Sequence, residues 1–92
     1  MDIADLTRGI EAGRGVSLAA EDLAPLLAHT ATLFDHDTSI AGHIRILGFD
    51  GLVLVQEQTP EGELFVRQLP SEEAARRFVD ARLAAYERMW DG

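Results

Sequence analysis

The stretch HTATLFDHDTSIAGH places His29, His36 and His43 seven positions apart, with Asp35 and Asp37 flanking the middle one. Imidazole and carboxylate together are divalent-metal ligands, and the same two groups can act as a general base and the carboxylate that orients it. Spacing constrains both uses. On one continuous helix seven residues rise about 10.5 Å, too far for two ligands with bonds of about 2.1 Å to share an ion. The chain would have to turn back between Asp35 and Gly42, and DHDTSIAG carries turn-forming residues. A metal reading therefore rests on His36, Asp37 and His43, with Asp35 as a further carboxylate. It is weakened by the lack of an HExxH or other dense ligand motif.

Catalysis has less support. Serine occurs only at positions 17, 39 and 71, two of them suited to helix starts, and no Gly-x-Ser-x-Gly elbow exists. The glycines of GRG and AGHIRILG precede no Lys-Ser or Lys-Thr pair, which excludes a phosphate loop. No catalytic residue is assigned, and no cofactor.

Around these residues lies a chain of 92 residues, 47% hydrophobic and 26% charged, with a net charge of −8. That composition belongs to a folded single domain, residues 1–92. The negative field disfavours phosphate backbones and anionic membrane surfaces and favours basic partners. All eight basic residues are arginine and cysteine is absent, so disulfides and thiolate chemistry are excluded. The arginine usage reads as GC-rich bacterial codon bias. No leader or membrane span is indicated, and the expected location is cytoplasmic.

Hydrophobic periodicity then supplies the elements. Ile3, Leu6 and Ile10 predict a short first helix ending at the glycines around Arg14. Leu23, Leu26, Leu27, Ala31 and Phe34 predict a second, capped by Asp22, with Pro25 tolerated in its first turn. From His43 the period becomes two. HIRILGF, LVLVQEQ and ELFVRQL, separated by Asp50-Gly51 and TPEG, predict a three-stranded antiparallel meander. Ser71 caps a long last helix with Ala75, Val79, Leu83, Tyr86 and Trp90 along one face, while Arg76 and Arg77 pair with Glu72, Glu73 and Asp80 on its wet side. The expected fold is α+β, two N-terminal helices, a three-stranded antiparallel β-meander and a long C-terminal helix (ααβββα).

Pairing Gln58 with Glu63 across TPEG gives one aliphatic sheet face, Ile44, Ile46, Val53, Val55, Leu64 and Val66. The other is mixed, joining Arg45, Phe49, Phe65 and Arg67 to Leu47, Leu52, Leu54, Leu69, Gln56 and Gln58. A bulge at Gly62 would flip the third strand. The long helix is expected on the aliphatic face. The mixed face is covered either by the first two helices or, if it stays open, by a second copy or a partner.

The functional expectation is a small acidic accessory or regulatory protein that works through protein contacts, as a homodimer, without nucleic acid or membrane. Its contact residues are Arg45, Phe49, Phe65 and Arg67, with Tyr86 and Trp90 next because such types dominate binding hot spots. Two alternatives stand beside it: metal binding through His36, Asp37 and His43, and an inhibitor or immunity-like antagonist masking a basic partner.

Overall fold

A computed structural model of the chain describes residues 15–38, 42–59 and 61–91. The order is β1 (Val16–Leu18), α1 (Ala20–Ala28), β2 (Ala31–Thr38), β3 (Gly42–Phe49), β4 (Leu52–Gln58), β5 (Leu64–Leu69) and α2 (Glu72–Asp91). The strands make one antiparallel sheet in the order β1-β5-β4-β3-β2. The expected ααβββα order is thereby corrected: five strands replace three, and the described residues form two helices. The first expected helix, on Ile3, Leu6 and Ile10, lies outside the described residues.

The larger correction concerns the histidine stretch. Helix α1 stops at Ala28, and residues 31–38 form a strand where the leucine stripe predicted helix as far as Phe34. The stop is local. His29 donates from its backbone N–H toward Pro25 and Leu26, its ring Nδ1 lies 3.0 Å from the Pro25 carbonyl, and Thr30 Oγ1 donates to the Leu26 carbonyl at 2.8 Å. These groups satisfy carbonyls that a continuing helix would use, a role usually filled by a glycine cap. Beyond them, Ala-Thr-Leu-Phe suits a strand as well as a helix. At the other end, the N-cap is Ala19 rather than Asp22, and Pro25 falls inside the helix.

At Asp50-Gly51 both residues take positive φ, 49° and 79°, as a two-residue I′ turn demands, and Phe49 pairs with Leu52. The second turn shifts register. Gly62 N–H donates to the Thr59 carbonyl at 2.9 Å, Thr59 N–H donates to that of Glu63, and Gln58 pairs with Leu64 rather than Glu63. One extra residue is absorbed, so every β5 side chain changes face. Phe65, Arg67 and Leu69 therefore lie on the face expected to be purely aliphatic, and Leu64 and Val66 on the other.

Helices cover both faces. α2 begins with Ser71 Oγ accepting from Ala74 N–H at 3.1 Å and packs Ala75 and Val79 on Ile44, Ile46 and Val55, with Phe34, Val53, Leu69, Phe78 and Leu83 around them. α1 sets Leu26, flanked by Leu23 and Leu27, on Leu18, Leu47, Leu54, Leu64 and Val66. No described helix is long and apolar enough to cross a membrane.

Candidate functional site

Strands β2 and β3 pair Asp35 with Arg45, His36 with Ile44 and Asp37 with His43. Alternation then puts Asp35, Asp37, His43 and Arg45 on the α1 face and His36 on the α2 face. Thus the sheet itself separates His36 from Asp37 and His43. His29 is at the end of α1 with its ring at the Pro25 carbonyl. Among the described residues no three His, Asp or Glu side chains are grouped to hold a metal ion.

What the strands do assemble is a polar row. The His43 Nε2–H donates to the Asp35 carboxylate, and Arg45 Nη2 donates to His43 Nδ1 at 3.3 Å. Arg45 Nη1 donates to Gln56 Oε1 at 2.6 Å, and Gln56 Nε2 donates to the Glu57 carbonyl at 3.0 Å. Arginine only donates, so in this contact it is the neutral form of His43 that accepts at Nδ1 and carries its proton on Nε2. The His43 hydrogen bond is the main cause holding the Asp35 carboxyl below its ordinary 3.8, against a smaller opposing effect of burial and with help from the charges of His43, Arg45 and His36. This imidazole–carboxylate pair resembles a base and its orienter, yet the lone pair a base would use is engaged by Arg45. The row links the β2 edge through His43 and Arg45 to Gln56 in the sheet interior.

The row leads outward to β2, one edge of the sheet. Of residues 31–37 all but Phe34 are exposed. The register moves from Thr32 opposite Leu47 to Phe34 opposite Ile46, leaving Leu33 as a bulge. Leu33 folds over Gly48, its Cδ1 3.4 Å from where a β-carbon on that glycine would sit, and is still 39% exposed. Phe34 packs against the α2 core, stacks on His36 with ring centroids 6.3 Å apart, and carries the Arg76 guanidinium at 5.9 Å.

The expected contact residues divide. Arg45 and Phe49 are on the α1 face, Arg45 within the polar row. Arg67 belongs to a separate cluster under α2: its Nη2 is 3.3 Å from Glu57 Oε1, Arg82 Nε is 3.0 Å from Glu57 Oε2, and both guanidiniums lie over the Phe78 ring at 4.4 and 4.9 Å. Phe65 is half-buried on that same face. Tyr86 and Trp90 fall on α2, and their side chains lie outside the described residues. The four sheet residues thus form no single patch. What the sequence reading missed is the β2 edge itself, with Leu33, Phe34 and Asp35 as strand residues.

Among the described residues the fold and this surface define an α+β arrangement with a five-stranded antiparallel sheet and β2 as its long edge. The chain matches no family model, no curated protein and no solved structure.

Proposed function

We propose that this is a small non-catalytic accessory domain that acts by binding another polypeptide along β2. One observation carries the reading. β2 is an eight-residue edge strand whose outward backbone N–H and C=O groups offer a template for a further strand. The opposite edge, β1, has only three residues. A general base is disfavoured by the Arg45 contact to His43, and a metal at His36, Asp37 and His43 by the sheet between them.

Amide hydrogen exchange combined with native mass spectrometry tests this. Association with any polypeptide, a second copy included, is expected to protect alternate amides of residues 34–38 and leave those of β1 unchanged. Saturable uptake of one zinc or nickel ion per chain, or association that protects surfaces other than β2, contradicts the proposal.

A further inference from the structure

Resting on that reading, we infer that the β2 edge receives an extended basic segment of a different protein, and that electrostatics selects it over a second copy of this chain. Residues 34–38 are the pairing-competent part, because the Leu33 bulge interrupts regular geometry before them. Asp35 and Asp37, two residues apart, project on one face. Strand alternation therefore asks the incoming segment for cationic side chains at every second position. On the opposite face, Phe34 and His36 with the exposed part of Leu33 ask for apolar residues between those cations. The preferred segment alternates basic and apolar residues.

Charge decides the occupant. β2 contains no arginine or lysine, and the whole chain carries −8. Arg45 Nε, 3.7 Å from Asp35 Oδ2, offsets one carboxylate from the inner side, which leaves Asp37 to dominate the outer field. A two-fold copy pairing through residues 35–37 would set Asp35 or Asp37 opposite a copy of itself or of the other, and like charges directly opposite destabilise a strand pair. It would also bring together two chains of the same −8 charge. A cationic strand turns the same carboxylates into attraction that salt screens.

The probe is a short peptide alternating arginine and valine, compared with one alternating glutamate and valine. Binding is followed by amide exchange and calorimetry on the full chain at low and high salt. The arginine peptide is expected to protect alternate amides of residues 34–38 and to bind at least about tenfold more weakly to Asp37→Arg, which exchanges a favourable cross-strand pair for a repulsive one without altering the backbone. Its affinity should also fall as salt rises. His36→Pro and Asp37→Pro, made separately, provide the backbone control: the variant whose N–H points outward should stay folded and lose the peptide. Equal binding of the glutamate peptide, or concentration-dependent self-pairing through β2, overturns the basic-segment inference and leaves the protein-contact reading intact. Amides of residues 34–38 that no peptide and no increase in protein concentration protects overturn both.

Discussion

Two ionic clusters occupy opposite faces of one sheet and differ in what surrounds them. The Glu57 side chain is only 8% exposed and held by Arg67 and Arg82, whose guanidiniums lie over the Phe78 ring, whereas the Asp35 side chain is 50% exposed and held by His43 and Arg45 at the edge. A charge enclosed by helix and sheet cannot lose its partner without being stranded. One at a wet edge can exchange partners at small cost. The difference separates a fastening of the fold from a surface able to meet another molecule.

Removing the enclosed carboxylate gives the largest expected effect. Glu57→Ala leaves two guanidiniums facing each other and should cost about 4 kcal/mol, read as a lower midpoint in urea unfolding; a loss below about 1 kcal/mol would make the two clusters equivalent. Leu26→Ala should cost about 3 kcal/mol, since Leu26 is fully buried between α1 and the sheet. It ought to loosen α1 while amide protection in α2 persists, and uniform loss of protection would show that both faces unfold as one layer.

The edge cluster responds to pH instead. A carboxyl more acidic when folded contributes stability that is fully present above its unfolded pKa, near 3.8 for Asp35, and is lost as pH falls through the lowered folded value. Asp35→Asn should therefore flatten the acid limb of the stability curve. At half exposure, the cost at pH 7 should stay below about 1 kcal/mol. Denaturation across an acid pH series would show it, and superimposable limbs would remove the edge bond from the account. Arg77 and Glu73, 74% and 78% exposed at 2.7 Å, form the reference pair. Arg77→Ala should shift stability by less than about 0.5 kcal/mol, and a larger thermal shift would show that exposure is a poor guide here.

The sequence exposes the meander and last helix because local chemistry and tertiary packing agree there. Asp50-Gly51 can adopt the required positive φ, and Ser71 caps the helix that leaves β5. At the β2 edge they disagree. Leu23, Leu26, Leu27, Ala31 and Phe34 keep helical spacing across the boundary, and the stop comes from His29 and Thr30 side chains rather than from a glycine. The TPEG turn hides an extra residue, so Phe65 and Arg67 change face though the strand itself is correctly placed. The pairing of Asp35 with His43 emerges only once β2 is a strand. Val16–Leu18 is too short to show a period of two.

Amide hydrogen exchange of the free chain at low concentration tests the central claim most directly. An available β2 edge predicts that alternate amides among residues 34–38 exchange at nearly the unfolded rate while those of β3 and β4 stay protected. Slow exchange at every one of these five positions would mean that the outer edge is already covered, and would contradict a docking role for β2.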